Sequence, residues 1–118
     1  MNQTELEQRL IEFAVKIIDL CDSLPNTRSG IALGNQLVRS GTSPALNYGE
    51  ARGAESDNDF LHKINIVLKE LRESHITLQI INKSQLEPNK PVLEFLLKEC
   101  DELVSIFVAT SKKLKQKR

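Results

Sequence analysis

Tryptophan is absent from this chain of 118 residues, and only four phenylalanines and one tyrosine supply aromatic rings. Binders of single-stranded nucleic acid commonly stack bases on such rings, so recognition of that kind lacks its platform here. Cysteine is equally scarce. Cys21 and Cys100 are the two present, with no CxxC or Cys/His spacing around either, which argues against a disulfide framework or a zinc site and fits a reduced, cytoplasmic chain. No apolar run approaches the roughly 20 residues needed to cross a bilayer, and the polar stretch Met1–Arg9 does not resemble a secretion signal. Neither membrane insertion nor export is expected.

Net charge is also missing, because 16 basic side chains balance 16 acidic ones. The balance is uneven along the chain. The last eight residues hold Lys112, Lys113, Lys115, Lys117 and Arg118 and no acid. Removing those five leaves eleven basic residues against sixteen acidic. Such an end is either a solvated helix terminus or a set of contacts to nucleic-acid phosphates.

Helical periodicity is what the sequence has in abundance. Leu6, Leu10, Phe13, Ile17 and Leu20 recur at steps of four and three, the stripe that buries one helix face. A first helix is expected over about 4–23, ended by Leu24 and Pro25, with Asn26 or Thr27 capping the next. Phe60, Ile64, Val67, Leu68, Leu71, Leu78 and Ile81 predict a third helix over about 57–82, opened by the cap-rich Ser56-Asp57-Asn58. Pro88 and Pro91 interrupt before a fourth helix over about 91–114, whose stripe is Val92, Phe95, Leu96, Cys100, Leu103, Phe107 and Leu114. The expected fold is a single all-α domain, an up-down-up-down four-helix bundle.

The second helix, over about 28–54, is compositionally odd, since all five glycines fall between Thr27 and Ala54. Glycine inside a helix costs up to about 1 kcal/mol relative to alanine. Gly41, Ala45, Gly49 and Gly53 recur at every fourth position, which predicts a ridge where another helix can approach closely. Gly41-Thr42-Ser43-Pro44 reads as a break, and one long helix kinked near Pro44 is preferred to two short ones.

Catalytic patterns are hard to find. Di-iron bundles need Glu-x-x-His on two helices, whereas Asp59-Phe60-Leu61-His62 is a single near match, and His62 and His75 are thirteen residues apart on different faces. No P-loop, dinucleotide fingerprint or Gly-x-Ser-x-Gly is present. No enzyme activity, metal or cofactor is expected. Polar residues do lie beside the apolar stripes: Arg39, Asn47 and Glu50 on the second helix, and Lys69, Glu70 and Glu73 on the third. They form either a solvated face or a polar seam between helices or subunits. In the second case Asn47, Glu50 and Glu73 would be its centre and Arg39 their charge partner.

The segment from Arg39 to Ala51, with its Ser/Thr-rich break and Asn47-x-x-Glu50, resembles a bacterial four-helix bundle family named after the intervening sequences of 23S ribosomal RNA genes. Asp59-Phe60-Leu61-His62-Lys63 and Leu68-Lys69-Glu70-Leu71-Arg72-Glu73-Ser74 extend the resemblance over nearly the whole chain. Ile76-Thr77 departs from the aromatic pair usual in one branch. The resemblance implies a non-enzymatic, homopentameric bundle subunit. A related group, the accessory variability determinants of diversity-generating retroelements, implies an alternative: an RNA- or DNA-binding accessory acting with ribosomal RNA or a reverse transcriptase. With a sequence pI near 6.7 this chain is less basic than that group.

Overall fold

A computed structural model describes residues 1–87 and 89–117, and Pro88 and Arg118 lie outside it. Four helices make up the described chain: α1 (Gln3–Ser23), α2 (Arg28–Arg52), α3 (Asp57–Lys83) and α4 (Lys90–Gln116). Each begins on a side-chain cap that accepts from a backbone N–H three residues on: Asn2 from Glu5, Thr27 from Gly30, Ser56 from Asp59 and Asn89 from Val92. These oxygens satisfy one of the orphan donors of each first turn, so the starts are set locally by sequence. Pro91 sits in the first turn of α4, where its missing N–H removes no bond.

Short connections make successive helices antiparallel. Around the bundle each helix touches its two neighbours, and among the described residues α1 and α3, like α2 and α4, make no close backbone approach across the diagonals. The body measures 47 × 21 × 20 Å. Across one diagonal the space is filled by Tyr48 of α2 and Phe107 of α4, edge to face with ring centroids 5.6 Å apart. The core runs the full length, through Leu10, Ile17, Leu37, Ile64, Leu71, Leu78, Leu96 and Leu103, none of them accessible to solvent. Phe95 departs from the stripe expected of it: it is 46% exposed at the α1 side of α4, under the Lys16 ammonium at 4.0 Å.

The helix α2 is continuous through Pro44. Proline cannot donate to the Ser40 carbonyl. Side chains serve neighbouring carbonyls: Thr42 donates to Val38 O at 2.7 Å, and Asn47 Nδ2 to Ser43 O at 3.0 Å. Of the expected ridge only Gly41 is a tight approach. A Cβ there would stand 2.7 Å from Ile17 Cγ2. Ala45 is half-buried against the core, Gly49 is exposed, and Gly53 is the C-cap of α2. The ridge reading therefore holds at one turn, because each step of four residues rotates about 40° past a full turn and carries the later small residues away from the α1 contact. Gly30 is a second close approach, where the Pro25 carbonyl occupies the place of a Cβ.

No helix among the described residues is long and apolar enough to cross a membrane.

Candidate functional site

The polar residues beside the stripes meet where α2 crosses α3. Arg39 donates from Nη1 to Glu70 Oε2 at 3.0 Å and from Nη2 to Glu73 Oε2 at 2.6 Å. Glu70 is buried, Glu73 half-buried, and the guanidinium covers both from the solvent side. Its hydrogen bond holds the Glu73 carboxyl below the usual carboxylate range. Beneath it the buried hydroxyls of Ser40 and Ser74 lie 3.0 Å apart, and Ser74 Oγ stands 2.9 Å from Glu70 O. With Ser74 donating to that carbonyl, Ser40 supplies the proton between the hydroxyls.

Asn47 and Glu50 do not join this group. Asn47 Nδ2 bonds within its own helix, to Ser43 O and Ser43 Oγ, and Glu50 accepts from Lys63 Nζ at 2.8 Å. Antiparallel pairing of Ser40 with Ser74 sets Glu73 level with Gly41, six residues from Asn47 along the axis, about 9 Å at 1.5 Å per residue. Lys69 is exposed and has no carboxylate within salt-bridge distance among the described residues. The expected single centre is thus two separate contacts between α2 and α3, plus one intrahelical bond.

Ion pairs also join both seams of α1. On α1, Arg9 grips Glu99 of α4 through two bonds of 2.7 Å and reaches Glu102 at 2.8 Å, while Glu7 pairs with Arg52 of α2 at 3.0 Å. Between α3 and α4 there is none among the described residues. That seam is joined by Cys100 Sγ donating to Leu71 O and by Ser111 Oγ donating to Asn65 Oδ1. Burial pushes the Cys100 thiol up to about 12, and Cys21 is raised to about 12 chiefly by the same cause.

Sequence reasoning missed a buried acid. Glu87, in the loop before α4, is 1% exposed; it accepts from Ser23 Oγ at 2.6 Å and from the Asn89 backbone N–H at 2.8 Å. A lone acid between loop residues carries no periodic signal. It also missed a second apolar stripe on α1, Ile11, Val15 and Ile18, all exposed, which was legible as spacing of four and three. By helical register this stripe lies on the flank of α1 that carries Glu7 and Cys21 toward α2. There Ile31 and Val38 of α2 are exposed as well, and both line the α1/α2 groove.

The basic end divides between two flanks. Lys112 and Lys115 line the α3/α4 groove with Arg72, whereas Lys113 faces the α1 side near Met1 and Ile106. Lys117 is exposed just beyond α4, and Arg118 lies outside the described residues. His75 Nδ1 is 2.9 Å from Gln79 Nε2, His62 is exposed, and no group of three or more potential metal ligands occurs among the described residues.

The fold and its inter-helix ion pairs define an antiparallel, charge-stapled four-helix bundle protein. The chain belongs to the 23S rRNA-intervening sequence protein family, whose family model matches residues 2–109. It is similar to the 1.70 Å crystal structure of a protein of unknown function from the S23 ribosomal protein family of Bacteroides thetaiotaomicron. The two share 30% identity and a TM-score of 0.82, covering 91% of this chain and 98% of that one. A search of curated proteins gives no match.

Proposed function

We propose that the chain is a non-enzymatic, cytoplasmic, homo-oligomeric scaffold whose copies associate through the α1/α2 flank, in a ring of five as the family resemblance implies. The observation that carries this reading is the exposed apolar face of Ile11, Val15 and Ile18 on α1 with Ile31 and Val38 on α2, each between 37% and 52% accessible. Scattered exposed aliphatics are ordinary, but a periodic stripe on one helix with further exposed aliphatics on the adjacent helix marks an interaction surface. A second copy suits a face whose aliphatic side chains outnumber the one charge lining its groove, Asp22. The seam supports a structural role as well. An arginine-bound carboxylate held ionised is the opposite of a general acid poised near neutral pH.

Size-exclusion chromatography with light scattering at tens of micromolar tests it. Wild type is expected at a whole multiple of 13.3 kDa, and Val15→Glu with Ile31→Glu at the monomer mass with its helicity kept. A strictly monomeric wild type refutes the reading.

The lysine-rich end of α4 favours a second reading, an RNA- or DNA-binding accessory acting with ribosomal RNA or a reverse transcriptase. Phosphate contacts predict affinity falling steeply with salt. Equal binding of structured RNA by the full chain and by one ending at Ser111 would eliminate the role of that end.

A further inference from the structure

Opposite the apolar flank, a groove of about 410 Å³ opens between α3 and α4. Its apolar lining comes from Leu68 and the exposed Val108, and its cations are Arg72, Lys112 and Lys115. No Asp or Glu lines it, and none of the three cations has a carboxylate within salt-bridge distance among the described residues. Arg9, Arg39, Arg52 and Lys63 are paired across helices, and other cations such as Lys69 and Lys113 also have no such partner among the described residues, but here three of them share one groove. In a chain of zero net charge, three uncompensated cations around an aliphatic floor are a local surplus that a bound acid would neutralise.

We propose that this groove docks an acidic amphipathic helix of a partner protein, its leucine-like side chains on Leu68 and Val108 and its carboxylates against Arg72, Lys112 and Lys115. From Val108 to Gln116 the groove runs about 12 Å along α4 at 1.5 Å per residue, enough for two turns of a docked helix. Nucleic acid fits less well. Phosphates would meet the cations but leave the aliphatic floor unmatched, and no aromatic ring lines the groove to stack a base. The site uses the flank opposite to α1 and α2, so it stands independently of self-association.

The test is fluorescence anisotropy of the full chain with a blocked, fluorescein-labelled peptide of about two heptads, leucine at a and d and glutamate elsewhere. Saturable binding is expected, weakened at least tenfold by Arg72→Glu with Lys112→Glu and several-fold by Val108→Ser. Lys113→Glu, on the other flank, should leave it unchanged, and excess polyuridylate should not displace the peptide at physiological salt. Circular dichroism checks that each variant keeps its helices. Retention of peptide binding in the Val15→Glu, Ile31→Glu chain separates this site from the assembly face. Failure to saturate below millimolar peptide overturns the proposal, as does displacement by polyuridylate together with indifference to Val108→Ser, which would make the groove a plain polyanion surface.

Discussion

Replacing Gly41 with alanine sets two effects of opposite sign against each other at one position. Inside a helix the substitution should stabilise by about 1 kcal/mol through backbone propensity alone. The added methyl, however, would stand 2.7 Å from Ile17 Cγ2, 2.9 Å from Cγ1 and 3.2 Å from Cβ. Ile17 is fully buried and its branched side chain is confined to essentially one rotamer in a helix, so it cannot swing away. The helices must part instead, at an overpacking cost of about 3 kcal/mol, the upper part of the usual range. The net expectation is a loss of about 2 kcal/mol, or roughly 8 °C in Tm for a domain of this size. Gly49→Ala is the internal control. Its methyl would meet nothing nearer than Glu7 Oε2 at 3.9 Å, so it should gain up to about 1 kcal/mol. Urea unfolding followed by circular dichroism at one fixed protein concentration measures both. Ile17→Val keeps all three offending carbons and should rescue nothing. Ile17→Ala removes both γ carbons and should show a coupling of at least about 1 kcal/mol with Gly41→Ala. A Gly41→Ala chain as stable as wild type, with additive behaviour toward Ile17→Ala, would refute the close approach.

Glu87→Ala strands the Asn89 N–H and leaves the Ser23 hydroxyl only Leu20 O, at 2.7 Å, to donate to, and should cost about 1–2 kcal/mol in thermal melts, with Glu87→Gln retaining part of the loss; a change under about 0.5 kcal/mol would show that the loop is not clamped. Because Arg39 lowers the folded-state pKa of Glu73, the pair's contribution is present above the unfolded carboxylate value of about 4.3 and is lost as pH falls through the lower folded value. Carbon NMR should therefore find Glu73 titrating below the ordinary glutamate value, and Arg39→Gln should move it back; a Glu73 that titrates at the ordinary value in wild type contradicts the bond.

The bundle was readable from sequence because its signals are local. Stripes at steps of three and four, Thr27 and Ser56 as caps and proline in the first turn of α4 each act within a turn or two of where they stand. The seam was only half readable. Spacing along one helix says that Asn47 and Glu50 share a face, but not which residue of α3 lies level with them, and that level is set by packing such as Ser40 on Ser74. Phe95 misled for a related reason, since its position sits at the edge of the stripe and the neighbouring helix leaves it uncovered. Glu87 could not be foreseen, because its burial depends on Ser23, 64 residues earlier.

The ion pairs of α1 also select the handedness of the bundle. Four antiparallel helices can be arranged clockwise or anticlockwise around the same core, and a hydrophobic stripe scarcely distinguishes the two. On α1, Glu7 points to α2 and Arg9 to α4. In the mirror arrangement every helix turns its other flank to each neighbour, so Glu7 no longer faces Arg52, nor Arg9 Glu99 and Glu102, and all of these pairs are lost. Arg9 and Glu99 are both mostly shielded from solvent, so separating them forfeits more than an exposed pair would. The charges that staple the observed bundle therefore find no partners among themselves in its mirror-image topology.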